Sequence, residues 1–127
     1  MNIEKIIEDN GTLVPIEFKD LPFEPKRIFY VTNVPQYDIR GEHAHYESQQ
    51  VAICVVGKVL VTLFDGFNTN HHMLMPGQAV FVDKLIWDQY QFMEEGCVML
   101  VICSNEYDKE DYIHTKDELV NLKKVEQ

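Results

Sequence analysis

Arginine, and positive charge in general, is scarce in this sequence. Its 127 residues include 21 acidic and 11 basic side chains, a formal net charge of −10, and the only arginines are Arg27 and Arg40. Such a surface repels the phosphates of nucleic acids and of anionic lipids over about a Debye length, roughly 8 Å in physiological salt. We therefore expect no nucleic-acid partner and no membrane partner. An anionic ligand would need a local positive pocket built from these two arginines.

Long apolar runs and paired cysteine motifs are also missing. No stretch approaches the ~18 apolar residues of a membrane span, and the opening sequence MNIEKIIEDN lacks the apolar core of a signal peptide. Cys54, Cys97 and Cys103 lie inside apolar runs and have no C-x-x-C spacing. We expect buried, reduced thiols and a cytoplasmic protein.

Short strand-like segments dominate what is present. With 46% hydrophobic residues, the chain has the composition of a folded protein, and we expect one domain over residues 1–127. Turn residues separate the segments and no helical pattern intervenes, which predicts an all-β antiparallel sandwich or barrel such as a jelly roll. The predicted strands are 12–18, 27–34, 49–56, 58–64, 70–75, 78–82, 90–93 and 97–103.

Two further patterns refine this fold. The segments 49–56 and 97–103 are apolar on both faces, which suggests a second covered surface such as a subunit interface. In the tail, 116–127, Leu119, Leu122 and Val125 are three residues apart with charges between them. This spacing predicts a short amphipathic C-terminal helix.

The stretch RGEHAHYESQQ, residues 40–50, carries the chemistry. His43 and His45 point to the same face if they lie on a strand. With Gln50 and Gly57 they match the first motif of the cupin jelly roll, in which two histidines and a glutamate bind a metal. Gln50 replaces that glutamate, and a neutral amide is a poor ligand for a transition metal. A metal-dependent cupin enzyme, with Asp88 as the third ligand, is one alternative.

Proton transfer is the second interpretation of the histidine pair. Imidazole has an ordinary pKa of about 6.5, so a small shift makes it an acid or a base at neutral pH. Two rings ~6.5 to 7 Å apart along a strand would reach adjacent carbons of a sugar. A purely structural role is the third interpretation. His71, His72 and His114 are expected to lie outside any site.

Several stretches fall in the order and spacing of a known family. They are RIFYV at 27–31, RGEHAH at 40–45, Gln50, Gly57, DG at 65–66, Trp87 and EYDKEDYI at 106–113. Over about residues 12–118 the sequence resembles the dTDP-4-keto-6-deoxyhexose 3,4-ketoisomerases. This resemblance implies a metal-free, cupin-like homodimer that uses no cofactor, acts on a dTDP-linked 4-keto-6-deoxyhexose and serves the synthesis of bacterial surface glycans.

The resemblance also implies a reaction and roles for individual residues. A base removes the C3 proton, an enediol forms, and a proton returned to C4 leaves the ketone at C3. His43 is expected as the base and His45 as its partner.

Asp88 stands where the family commonly has histidine or arginine, and its position is expected to face the sugar. The implied substrate-binding residues are Arg27, Tyr30, Arg40, Gln50, Trp87 and Asp88. Trp87 either stacks on the thymine or fills the core, and the cluster at 106–113 either serves the site or locks the tail to the sheet. A binding module that has lost catalysis is the remaining alternative.

Overall fold

Antiparallel strands make up most of the fold in the computed structural model, which describes residues 1–126. The elements are β1 (Ile6–Glu8), β2 (Gly11–Leu13), β3 (Arg27–Val31), β4 (Ile39–His45), β5 (Gln50–Val56), β6 (Val59–Phe64), β7 (Thr69–Leu74), β8 (Ala79–Val82), β9 (Trp87–Phe92), β10 (Val98–Cys103), β11 (Tyr112–Ile113) and α1 (Lys116–Glu126). Two 3₁₀ turns, Phe18–Asp20 and Lys109–Asp111, lie between them.

The strands form two main sheets and one small hairpin. One sheet has the order β3-β10-β5-β8, the other has the order β11-β4-β9-β6-β7, and β1 pairs only with β2. Every pairing is antiparallel. This arrangement confirms the predicted all-β jelly roll with a C-terminal helix.

The main core fills the space between the two sheets. Ala52 of β5 and Val101 of β10 point inward from one sheet, and Val61 of β6 and Phe92 of β9 point inward from the other. All four side chains are essentially inaccessible to solvent. The three cysteines are free and buried, as predicted.

The outer face of the four-stranded sheet is covered by the chain itself. Val51 and Ile102 point to this face and pack with Leu21, Ile16 and Phe23 of the N-terminal segment. The second covered surface predicted from the two-sided apolar strands therefore exists, and residues of the N-terminal segment pack on it.

The predicted strand at 12–18 is largely wrong. Only Gly11–Leu13 forms a strand, and the chain reaches a 3₁₀ turn at Phe18–Asp20. Pro15 explains the break because it lacks the N–H group that a ladder hydrogen bond requires.

Helix α1 packs on the outer face of the five-stranded sheet. Leu119 is buried against Ala44, Trp87 and Ile113, and Leu122 packs beside them. Val125, the third apolar residue of the predicted stripe, is exposed. Within residues 1–126 no helix has the length and apolar character needed to cross a membrane.

Gly57, in the turn between β5 and β6, allows a test of the packing. Its φ is +92°, and a Cβ there would overlap Sγ of Cys97 and lie 3.2 Å from its Cα. Gly57→Ala should lower the free energy of unfolding by about 3 kcal/mol, since backbone strain and overpacking add. Urea denaturation measures this loss.

The matched control is Gly96→Ala. Gly96 has a similar φ of +76°, but a Cβ there meets nothing within 4 Å. This variant bears the backbone cost alone, about 1 kcal/mol. Equal losses in the two variants would contradict the packing argument.

Candidate active site

A bulge in β4 sets the direction of the histidines. Gly41 and Glu42 both have positive φ, +87° and +62°. The register shifts here, because Gly41 pairs with Gln89 whereas His43 pairs with Asp88. The bulge thereby accommodates one extra residue on β4. Such bulges are common next to functional sites. As a result His43 and Asp88 lie opposite each other on the inward face.

A cavity of about 490 Å³ lies between the two sheets beside this bulge. Strands β3, β5 and β10 of one sheet and β4, β9 and β11 of the other supply its walls. The lining residues are Arg27, Phe29, Tyr30, Val31, Thr32, Arg40, Gly41, His43, Gln50, Tyr90, Met99, Val101 and Tyr112. Five of the eight predicted site residues, Arg27, Tyr30, Arg40, His43 and Gln50, therefore line this cavity.

The two histidine rings touch each other and a tyrosine. Their centroids are 4.9 Å apart with planes at 81°, closer than their spacing along the strand, because the rings lean together. Tyr112 lies 4.9 Å from the ring of His43 and 4.6 Å from that of His45. The side chain of His43 keeps a quarter of its surface exposed, whereas His45 is almost fully buried.

Burial keeps both imidazoles uncharged at neutral pH. It lowers the pKa of His43 to about 4, and the neighbouring His45 adds to this effect. Burial also lowers the pKa of His45, although the carboxylate of Asp111 opposes the change. Two neutral rings can each accept a proton, so the pair is suited to act as a base.

Asp88 lies behind His43 and not on the cavity wall. It is fully buried, its Oδ1 is 3.8 Å from Nε2 of His43, and neither carboxyl oxygen has a hydrogen-bond partner. Burial raises the pKa of Asp88 to about 8; the hydroxyl of Tyr90 opposes part of this rise, without a hydrogen bond of regular geometry. Asp88, which was expected to face the sugar, thus faces His43.

Trp87 also lies away from the cavity. Neighbouring residues of a strand point to opposite faces, so Trp87 points outward because Asp88 points inward. The indole packs under helix α1 and donates a hydrogen bond to Oε1 of Gln89 at 3.0 Å. Of the two roles left open for this residue, core packing is the one that the structure displays.

The two arginines bring positive charge to the cavity. Among the described residues, no carboxylate lies within 4.0 Å of either guanidinium group. Arg27 lies over the rings of Phe29 and Tyr107, 4.6 Å and 5.4 Å from their centroids. Both charges are therefore available to an anionic ligand. Gln50 of β5 is buried on the same wall as Arg27, where its amide donates to Sγ of Cys103.

Tyr112 and Tyr90 line the cavity and were not predicted as site residues. Tyr112 lies in the 106–113 cluster, whose role was left open. Its neighbour Asp111 accepts hydrogen bonds from the backbone N–H groups of Glu47 at 2.8 Å and Ser48 at 3.1 Å, so the cluster also fastens the chain after β4. The signal for Tyr90 was its spacing of two from Asp88, which puts both on one face.

The remaining histidines stay outside the cavity wall. His71 and His72 are exposed on β7, where Nδ1 of His71 lies 3.0 Å from Oγ1 of Thr62. His114 is exposed and stacks on Tyr112 at 6.0 Å.

A metal ion fits this cluster poorly. The possible ligand atoms of His43, His45 and Asp88 lie within 4.8 Å of one another. Ligands about 2.1 Å from a tetrahedral ion lie roughly 3.4 Å apart. Gln50, where cupins carry a glutamate ligand, offers only a neutral amide. The missing glutamate therefore weakens the metal interpretation.

The low pKa of His43 can be measured directly. In ¹⁵N NMR, its ring should titrate near pH 4, whereas a free histidine titrates near 6.5. In His45→Asn the pKa of His43 should rise, because the neighbouring positive charge is gone. The unfolded chain binds this proton at a higher pH than the folded chain does. The free energy of unfolding should therefore decline as the pH falls from 6.5 to 4. Titration of His43 near 6.5 in the folded protein would contradict its burial.

Comparisons with known proteins agree with this geometry. The family model described as "FdtA: WxcM-like, C-terminal" matches residues 1–124. A TDP-4-oxo-6-deoxy-alpha-D-glucose-3,4-oxoisomerase from Aneurinibacillus thermoaerophilus is 36% identical over 126 residues, which are 98% of this chain and 88% of that protein.

Solved structures show the same likeness. QdtA, a sugar 3,4-ketoisomerase from Thermoanaerobacterium thermosaccharolyticum solved with TDP, has a TM-score of 0.91 and 35% identity over 98% of this chain and 92% of its own. A variant of that enzyme solved with TDP-4-keto-6-deoxyglucose has a TM-score of 0.90 and 34% identity, covering 97% and 91%. A 3,4-ketoisomerase from Helicobacter canadensis has a TM-score of 0.89 and 32% identity, covering 95% and 92%. These neighbours confirm the predicted cupin-like fold.

Proposed function

Since this chain belongs to the FdtA family, whose solved relatives are sugar 3,4-ketoisomerases, we propose that it converts a dTDP-4-keto-6-deoxyhexose to the 3-keto isomer. The observation that carries the proposal is the pair of neutral, adjacent histidines at a cavity that holds two unpaired arginines. Such a site joins a base to a binding place for an anionic sugar nucleotide.

The chemistry needs only proton transfers. His43, which reaches the cavity, removes the proton from C3. The C–H electron pair forms the C3–C4 double bond, and the carbonyl electrons move to O4. The O3 proton then moves to O4, and a proton delivered to C4 leaves the ketone at C3. His45, in ring contact with His43, assists by orienting it or by exchanging the proton.

The other lining residues bind and stabilise the ligand. Arg27 and Arg40 offer charge-assisted hydrogen bonds to the diphosphate or to the developing enediolate. Tyr30 and Gln50 offer hydrogen-bonding groups to the sugar nucleotide. The enediolate carries more negative charge than the ketone, so a guanidinium group beside it favours the transition state over the ground state.

An isotope experiment tests the activity. Incubation of the protein with the 4-keto sugar nucleotide in deuterated water should place deuterium on C3 or C4, because a histidine that accepts a proton exchanges it with solvent. NMR locates the label and reads the configuration at C4. Folded protein that incorporates no deuterium would contradict the proposal. Stabilisation by dTDP without turnover would identify a binding module instead.

A matched pair of histidine variants extends the same assay. His43→Asn should lower kcat by about 10²- to 10⁴-fold, the usual contribution of a general acid or base. His72→Asn makes the same change on an exposed strand outside the cavity and should leave kcat unchanged.

We further propose that the enzyme is a cytoplasmic homodimer. Three free cysteines are consistent with a reducing compartment. Ile28 and Tyr30 lie exposed on β3, the edge strand of its sheet, and Tyr30 also lines the cavity. A second copy would cover both apolar side chains.

Light scattering coupled to gel filtration tests the assembly. The dimer should have a mass near 30 kDa, twice the 14.9 kDa of one chain. A mass near that of one chain at micromolar concentration would contradict the homodimer.

A further inference from the structure

Among the imidazoles and the hydroxyl around the Asp88 carboxyl, His43 is the group proposed to remove a proton from the sugar. From β4, it faces Gly41 and the two histidines, with His43 in contact at 3.8 Å. On its own strand it faces Tyr90, and its partner on β6 is the apolar Leu63. Among the described residues, no lysine or arginine lies within 4.0 Å of its oxygens.

An orphaned carboxyl at this depth calls for an explanation. Buried polar groups nearly always have hydrogen-bond partners, and an unpartnered one costs about 1–3 kcal/mol or more. Both oxygens of Asp88 lack a partner, as does the hydroxyl of Tyr90. Asp88 therefore lowers stability where it stands, and it lies directly behind the side chain expected to move protons.

We propose that Asp88 is a positioning residue that forms a proton relay with His43, so that the proton taken from the sugar ends on the Asp88 carboxylate. This inference rests on the proposed ketoisomerase function and concerns the same site. Asp88 touches no substrate in this arrangement and acts only through the imidazole.

The relay balances in protons and electrons. Nδ1 of His43 accepts the proton from C3 while Nε2 passes its own proton to Oδ1 of Asp88. The C–H electron pair stays on the sugar as the enediolate, and His43 is neutral before and after the step. In the second half, Asp88 returns its proton to Nε2, Nδ1 protonates C4, and the ketone forms at C3.

Burial explains why a relay serves better than His43 alone. The imidazolium ion is disfavoured by burial and by His45, which together hold the pKa of His43 at about 4. The Asp88 carboxylate, with a pKa of about 8, is by contrast a strong base. Passing the proton onward places it on the stronger base and avoids a buried imidazolium.

The geometry requires only a small adjustment. The 3.8 Å between Nε2 and Oδ1 exceeds a hydrogen bond by about 1 Å. Catalytic hydrogen bonds are often long in ligand-free enzymes and shorten when substrate binds. The Gly41 bulge keeps β4 close to Asp88, so that a shift of about 1 Å brings Nε2 within hydrogen-bond distance of Oδ1.

The pH profile of kcat/KM tests the relay, with Asp88→Asn as the variant. The relay needs ionised Asp88, so wild-type activity should rise about tenfold per pH unit below 8 and level off above it. Asp88→Asn should remove this rise and lower kcat at pH 8 at least tenfold, with KM changed less than about threefold. The control Asp20→Asn, an exposed carboxyl outside the site, should keep the wild-type profile.

A second measurement works without turnover. In ligand-free protein, the ¹⁵N shifts of His43 should respond near pH 8 as Asp88 ionises, and Asp88→Asn should abolish this response. Loss of the response in wild type, or an unchanged pH profile in an active Asp88→Asn variant, would overturn the relay. If wild type shows the response but no isomerisation, the proposed function fails, and the relay, which needs a proton from the sugar, fails with it. If wild type isomerises and an active Asp88→Asn variant keeps the wild-type pH profile, the relay alone fails.

Discussion

The whole site depends on how closely β4 passes over Asp88 at Gly41. A Cβ at this position would lie 2.7 Å from Oδ1 of Asp88 and 3.1 Å from Cδ2 of Tyr90, so only glycine allows the approach. The positive φ of Gly41 and Glu42 then turns the strand so that His43 meets Asp88. One close contact between two strands thus fixes the direction of the base, the burial of the acid and one wall of the cavity.

The same burial explains how an acidic protein can hold an anionic ligand. The formal charge of the chain is −10, yet burial leaves the histidines and Asp88 largely neutral at pH 7. The unpaired guanidinium groups of Arg27 and Arg40 are then the charges that a ligand meets first, and neighbouring carboxylates do not cancel them. The charges inside the cavity therefore affect an anionic ligand more than the net charge of the chain does. Exposed charges are screened within roughly 8 Å, whereas charges in a buried site are screened much less.

Sequence patterns predicted the parts of this structure that depend on short-range periodicity. Apolar runs between turn residues identified most strands, a three-residue apolar spacing identified the tail helix, and five residues that line the cavity were found by motif position. The N-terminal segment was mispredicted because Pro15 interrupts a run of strand formers. Asp88 and Trp87 were both named as substrate-binding residues, with core packing as the alternative for Trp87, although neighbours on one strand cannot face the same side. Which of the two points inward depends on the register with β4, and that register is set by a bulge that residue patterns do not reveal.

Helix α1, distant from the reacting atoms, supports the histidines from behind. Ala44 lies between His43 and His45 and points to the opposite face, where Trp87, Ile113 and Leu119 enclose it. The pairing of β11 with β4 sets Ile113 against Ala44 and Tyr112 against His45. The C-terminal segment therefore packs against the outer face of β4, the strand that carries the base. It also places the ring of Tyr112 beside the histidines on the inner face. A ring held on both sides loses little orientational freedom when substrate binds, and this is the preorganisation that proton transfer to a carbon acid requires.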